Sequence, residues 1–194
     1  MNYKAIVIGA SAGGMETIAS ILSQLPSNFP LPILIVQHLS PESGGYMAKY
    51  LHQKCKIIVK EADAKENIIA GRAYIAPPNY HLLVEKDGTL SFTVENKVNY
   101  ARPSIDVLFE TAADFYQDKL IGIILTGANS DGSKGLKRIK ERGGLVIVQD
   151  PDTALVQSMP KAAIRETRVD YILSVEKIID KLIELVGLEN DTKV

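Results

Sequence analysis

The sequence predicts an α/β fold of three layers, α/β/α, built on a mostly parallel, doubly wound sheet with an antiparallel hairpin insertion. Three observations predict it. Apolar strand-like runs alternate with amphipathic helix-like segments along most of the chain, as in βα units that build a parallel sheet. Runs such as Ile33-Leu34-Ile35-Val36 are continuously aliphatic, which suits strands covered on both faces. Midway, two short apolar runs flank Lys86-Asp87-Gly88, and Asp-Gly between such runs is a hairpin signal.

The elements follow in order. Tyr3-Lys4-Ala5-Ile6-Val7-Ile8 forms a first strand ending near Gly9, and a helix follows from Gly13 to Gln24. Its Met15, Ile18, Ala19 and Leu22 recur at helical spacing and make one apolar face. Pro26 and Pro30 punctuate a loop before a strand over Leu31 to Val36. Pro41 and Glu42 suit a helix start, and Met47, Tyr50 and Leu51 carry that helix to about His52. Lys56 to Val59 reads as a short strand, and so does Arg72 to Ala76. His81 to Glu85 and Leu90 to Val94 are the two arms of the hairpin.

After Pro103 the alternation resumes. Ile105, Leu108, Phe109 and Ala112 make an amphipathic helix whose first turn Ser104 or Asp106 can help. A strand over Leu120 to Thr126 leads to a helix over Gly132 to Arg142, closed by Gly143-Gly144 as a C-cap. A strand over Leu145 to Val148, a short helix over Pro160 to Arg165, a strand over Tyr171 to Leu173 and a helix over Val175 to Val186 complete the pattern. The last few residues are polar and are expected to fray.

Composition narrows the function classes. With 194 residues the chain is read as one domain, residues 1–194, able to bury a sizeable core. A hydrophobic share of 46% and a charged share of 23% are those of a globular protein. The net charge of -1 gives no strong field for nucleic acid or an anionic membrane. Cys55 is the only cysteine, which excludes an internal disulfide and a thiolate metal cluster and leans toward a reducing compartment. Its plain role is that of a small buried residue. No apolar run approaches the roughly 20 residues that span a bilayer, and the chain opens on a strand, without a signal segment. A cytoplasmic location is the expectation, with no membrane insertion and no nucleic-acid partner.

Three strand ends carry the candidate chemistry. The first runs into Gly9-Ala10-Ser11-Ala12-Gly13-Gly14, the second into Gln37-His38, and a later one into Thr126-Gly127-Ala128-Asn129-Ser130-Asp131-Gly132. In an open parallel sheet, functional groups gather at the carboxyl ends of strands. Together these ends offer the serine, histidine and aspartate of an activated nucleophile. Gly9-Ala10-Ser11-Ala12-Gly13 satisfies G-x-S-x-G, a tight strand-to-helix turn that exposes a hydroxyl beside free helix N–H groups. The same stretch also fits the Gly-rich first turn of a nucleotide-binding fold, or a serine N-cap. Against a dinucleotide site, the second strand ends in Gln37-His38 and lacks the acidic residue that holds a ribose.

His38 suits a base near neutrality, since an unperturbed imidazole titrates near about 6.5, though a histidine at a strand end also serves structure. His52 falls on a polar helix face, and His81 opens a hairpin strand from which it can line the cleft. Asp131, or Ser130, suits a cap for the following helix, and an aspartate there can equally orient a histidine. The chain order Ser, His, Asp differs from the Ser, Asp, His order of α/β-hydrolases.

Taken in order, Gly9-Ala10-Ser11-Ala12-Gly13-Gly14, Val36-Gln37-His38, Ala73-Tyr74-Ile75-Ala76-Pro77, Arg102-Pro103-Ser104-Ile105-Asp106-Val107-Leu108-Phe109, Leu125-Thr126-Gly127 through Asp131-Gly132, and Gln149-Asp150 through Ser158-Met159-Pro160 resemble the catalytic domain of CheB-type protein-glutamate methylesterases. The resemblance implies a Ser-His-Asp triad of Ser11, His38 and Asp131, with backbone N–H groups of Ala12 and Ala128 for the oxyanion. It implies hydrolysis of methyl esters on glutamate side chains of chemoreceptor cytoplasmic helices, deamidation of certain receptor glutamines, and no metal or organic cofactor.

The chain departs from the family pattern at Ala12, where threonine is frequent, and at Ala128, where methionine is common. It also begins at the catalytic domain, so control by a receiver domain is expected to be absent or to lie on another protein. Two rival expectations remain: a non-catalytic binding module on the same fold, and a deamidase or esterase acting on a protein outside chemotaxis.

Overall fold

The computed structural model describes residues 3–38 and 45–188. The central sheet takes β1 (Ala5–Ala10), β2 (Ile33–Gln37), β3 (Ile58–Glu61) and β4 (Arg72–Ile75) from the first half of the chain, and later β7 (Leu120–Ile124), β8 (Leu145–Gln149) and β9 (Tyr171–Leu173). Between these sets lies a separate antiparallel hairpin of β5 (His81–Val84) and β6 (Leu90–Thr93). The helices are α1 (Gly14–Gln24), α2 (Tyr46–Lys54), α3 (Ile105–Tyr116), α4 (Ser133–Glu141), α5 (Ser158–Glu166) and α6 (Val175–Leu185).

The seven-stranded sheet runs β3-β4-β2-β1-β7-β8-β9, parallel throughout. The chain winds outward from β1 in one direction, then returns to place β7 on β1's other side. That reversal makes β1 and its two neighbours the switch point, where the loops part and leave a crevice.

Strand periodicity divides the core in two. Ile6 and Ile8 of β1, with Ile33 and Ile35 of β2, face α1, α2 and α6, where Ile18, Leu22, Leu51 and Leu182 are buried. Val7, Leu34 and Val36 face α3, α4, α5 and the hairpin, against Leu82, Leu108, Phe109, Leu136 and Met159. Burial on both faces is why these strands read as unbroken aliphatic runs. The three-layer architecture with its antiparallel insertion is as the sequence predicts.

Boundaries differ in places. The strand expected over Lys56 to Val59 is displaced to Ile58–Glu61, because its register is set by pairing Ile58 with Arg72 and Glu61 with Ile75 on a distant segment. The short helix begins at Ser158, ahead of the expected Pro160; proline in a first turn forfeits no intrahelical bond. The start of the second helix proposed at Pro41 and Glu42 lies outside the described residues. Cys55 is only partly buried, and burial pushes its thiol up to about 11. Among the described residues no helix is long and apolar enough to cross a membrane.

Candidate active site

The register of β1 and β2 sets the first pair of groups. Ala10 lies opposite Gln37, so the next residues, Ser11 and His38, leave the sheet side by side. The His38 N–H donates to Ala10 O at 3.1 Å, and the Ser11 N–H donates to Thr126 O at 3.0 Å. Ser11 is thereby held between the ends of β2 and β7.

The turn after Ser11 is tight. Gly13 has φ of 78°, a left-handed conformation that costs a residue with a Cβ. A Cβ on Gly14 would collide with Gln37 Oε1 and Ala10 Cβ. Gln37 exploits that closeness: its Nε2 donates to Ser11 O at 2.7 Å and to His38 O at 3.1 Å. Thr126 Oγ1 donates to Ala12 O at 2.8 Å and accepts from the Val156 N–H at 2.9 Å. The serine turn is therefore tied to both neighbouring strands and to the loop before α5.

Asp131 is fully buried and lies in the loop between β7 and α4. Its Oδ2 meets His38 Nε2 at 2.9 Å and accepts from the Ile105 N–H at 2.7 Å. Its Oδ1 accepts from Asn99 Nδ2 at 2.9 Å, Ser104 Oγ at 2.8 Å, the Asp106 N–H at 3.2 Å and the Gly132 N–H at 3.1 Å. Burial pushes the carboxyl up, but bonds from His38, Asn99, Ile105 and Ser104 outweigh it and hold Asp131 below the usual carboxylate range. An ionised carboxylate only accepts, so Nε2 is the donor in this contact, and in the neutral imidazole Nδ1 carries the lone pair.

The capping roles differ from those the sequence suggests. Gly132 holds the N-cap position of α4 and has no side chain to cap it; Asp131 instead serves the first turn of α3, through Ile105 and Asp106. In return, Asp106 Oδ1 accepts from the Gly135 N–H in the first turn of α4 at 2.7 Å. The two helices thus exchange aspartates across their N-termini, each satisfying donors the helix itself cannot. Ser104 spends its hydroxyl on Asp131 and makes no capping bond of its own. Burial first, with Asp131 contributing, pushes the Asp106 carboxyl up from its usual value.

Asn99, which the sequence did not single out, bridges the two aspartates: its Nδ2 donates to Asp106 Oδ2 at 2.7 Å and to Asp131 Oδ1 at 2.9 Å. It sits in a tight turn closed by Val98 and Ala101, with φ of 50° at Asn99 and 64° at Tyr100, the positive pair of a type I′ turn. Asn-Tyr is a poor sequence signal for such a turn, which favours Asn-Gly.

His81 does not line the cleft, contrary to expectation. It is buried, accepts from the Ser104 N–H on Nδ1 at 3.1 Å and donates from Nε2 to Asn96 O at 3.1 Å. It supports the start of α3 from behind. His52 is exposed on α2, as its position on the polar face predicts.

A cavity of about 330 Å³ opens over these groups, lined by Ser11, His38, Asn129, Asn99, Tyr100 and Arg102 among others. Ser11 and His38 both face it, with no hydrogen bond between their side chains. Bonds of that kind commonly tighten only when substrate enters. The backbone N–H groups of Ala12 and Ala128 donate to no group among the described residues, and both residues are exposed. A serine hydroxyl and an imidazole oriented by a buried carboxylate share this cavity, the residue types of an activated nucleophile and its base.

Comparisons with known proteins identify the family. The family model described as CheB methylesterase matches residues 6–182. A Leptospira interrogans protein is 58% identical over 185 residues, covering 95% of this chain and 96% of its own length. A Thermotoga maritima protein named protein-glutamate methylesterase/protein-glutamine glutaminase is 42% identical over 189 residues, covering 96% of this chain and 55% of its own length. The crystal structure of the T. maritima CheB methylesterase catalytic domain superposes with a TM-score of 0.90 at 41% identity, covering 96% of this chain and 100% of that one. By sequence and by fold, this chain belongs to the CheB methylesterase family.

Proposed function

We propose that this chain is a serine hydrolase that removes methyl esters from glutamate side chains on the cytoplasmic helices of chemoreceptors, with Ser11 as nucleophile, His38 as base and Asp131 as its orienting acid. The observation that carries the proposal is the 2.9 Å contact between His38 Nε2 and Asp131 Oδ2 beside the cavity that Ser11 lines. The names of the T. maritima and Pseudomonas aeruginosa relatives, protein-glutamate methylesterase/protein-glutamine glutaminase, supply the substrate class.

The steps follow from which ring nitrogen Asp131 holds. With Nε2 engaged by Asp131, Nδ1 is the nitrogen that takes the Ser11 proton as Oγ attacks the ester carbonyl. The N–H groups of Ala12 and Ala128 receive the oxyanion. As the tetrahedral intermediate collapses, Nδ1 returns the proton to the methoxide, and methanol leaves an acyl-serine. Water, deprotonated by the same nitrogen, attacks the acyl carbon; that proton returns to Ser11 Oγ as the C–O bond to serine breaks, and the glutamic acid side chain is freed and loses its remaining proton to solvent. An amide in place of the ester expels ammonia by the same route, which accounts for a glutaminase activity beside the esterase.

The test is methanol release from methylated receptor membranes, with labelling of Ser11 by a fluorophosphonate. Ser11→Ala and His38→Ala should each lower turnover by about 10⁶, and the double variant by no more, because a triad acts as a unit. Appreciable turnover by Ser11→Ala, or an intact fold whose Ser11 does not label, would refute the enzyme and leave the binding module. Labelling at Ser11 without methanol release from receptor would move the substrate outside chemotaxis.

A further inference from the structure

Asn129 lies in the loop between β7 and α4 and faces the imidazole from the side opposite Asp131. Its Nδ2 is 3.3 Å from His38 Nδ1. The orientation of its amide is fixed independently, because the Asp131 N–H donates to Asn129 Oδ1 at 3.1 Å. A backbone N–H donates to oxygen here, so nitrogen must be the atom turned to His38. The tautomer of His38 is fixed independently too, since ionised Asp131 requires the proton on Nε2. The two constraints agree: an amide donor meets an imidazole lone pair.

That lone pair is the one the proposed reaction needs. Ser11 Oγ has no hydrogen bond to it, while Asn129 has one. Resting on the proposed roles of Ser11 and His38, we infer that Asn129 is a positioning residue that occupies His38 Nδ1 in the resting enzyme and competes with Ser11 for it, yielding the lone pair when the ester enters the cavity. The competition is built into the loop, because the same residue that supplies the Asn129 latch is anchored to the backbone of the aspartate that orients the base.

The experiment compares fluorophosphonate labelling of wild type, Asn129→Ala and Asn129→Asp, with ¹⁵N spectra of the His38 ring and thermal unfolding to check the fold. Removing one competing neutral hydrogen bond should speed labelling of Asn129→Ala by about fivefold, within a range of roughly two- to tenfold. Asn129→Asp keeps the bond from the Asp131 N–H but turns an acceptor toward Nδ1. That ring nitrogen then takes a proton, and labelling should fall by more than about tenfold, whereas a merely structural role tolerates this isosteric change.

In wild type, Nδ1 should give the resonance of a pyridine-type nitrogen accepting a hydrogen bond, moving toward the unbonded value in Asn129→Ala. Wild-type labelling rates in both variants, a protonated Nδ1 in the resting enzyme, or slower labelling of Asn129→Ala by the 10²–10³ typical of a lost oxyanion donor would each overturn the inference. Failure of wild type itself to label would instead overturn the roles of Ser11 and His38 on which it rests.

Discussion

Asp131→Asn tests the arrangement most severely, because it preserves shape while changing what one atom can do. The carboxylate accepts at both oxygens: Oδ1 from Asn99, Ser104, Asp106 and Gly132, and Oδ2 from Ile105 and His38. An asparagine has one accepting oxygen. The crowded Oδ1 position will claim it, leaving the amide nitrogen where Oδ2 was, opposite the Ile105 N–H. That buried donor then goes unpaired, at a cost of about 1–3 kcal/mol. Losing the negative charge at the N-terminus of α3 costs about 0.3–1 kcal/mol more. Together these amount to roughly 1.3–4 kcal/mol, or a fall in Tm of about 3–16 °C for a chain of this size.

The same substitution presents a donor to His38 Nε2. The ring must reverse its tautomer, placing hydrogen on Nδ1, where Ser11 needs a lone pair. By analogy with triads in general, the loss in turnover is about 10⁴. Thermal unfolding and methanol release from the same preparation read the two effects together. A Tm within about 1 °C of wild type would refute the capping role, and more than a tenth of wild-type turnover would refute the tautomer argument.

Other outcomes follow from single features. Gly13→Ala must hold a Cβ at φ of 78°, at about 1–2 kcal/mol; that Cβ also meets Leu155 Cδ2 at 2.7 Å and Leu155 Cβ at 3.0 Å, and turning the exposed Leu155 side chain relieves only the first contact, so urea denaturation should show a loss of at least that size. Acid should unfold the protein partly through Asp131. Its folded value is held below the ordinary one, so its stabilisation is complete above the unfolded value of about 3.9 and disappears as pH falls through the folded value. The stability difference between wild type and Asp131→Asn, measured by urea midpoints, should therefore narrow below about pH 4. A constant difference down to pH 2 would contradict the depressed carboxyl.

Local rules made much of the fold legible. Tyr171–Leu173 was placed to the residue because a short apolar run between polar loops has few other uses, and the hairpin was visible from Asp87-Gly88. The displaced third strand shows where such rules stop: Ile57 and Ile58 read alike, but pairing with Arg72–Ile75 decides which residues join the ladder. At the site, Ser11, His38 and Asp131 were named because each ends a strand-like run. Asn99, Asn129 and Gln37 were not, because an asparagine in a loop or a glutamine after a strand carries no chemical signature until its neighbours are known. The capping assignment went astray for a related reason. Asp131 looked like a cap for the helix following it, but Gly132 takes that position and the carboxylate turns to a helix whose start lies 26 residues back, as its bond to Ile105 shows.

From the order of its residues alone, this chain determined alternating strands and helices, a sheet buried on both faces, and three strand ends bearing a hydroxyl, an imidazole and a carboxylate. Those are properties of periodicity and residue type, and they survive without coordinates. Only the folded chain decided that β1 and β2 would pair with Ala10 opposite Gln37, bringing Ser11 beside His38. It decided, too, which imidazole nitrogen Asp131 would hold and which amide would face the other. Such choices depend on register and on donors converging from distant segments, and no local stretch of sequence contains the partner it will meet.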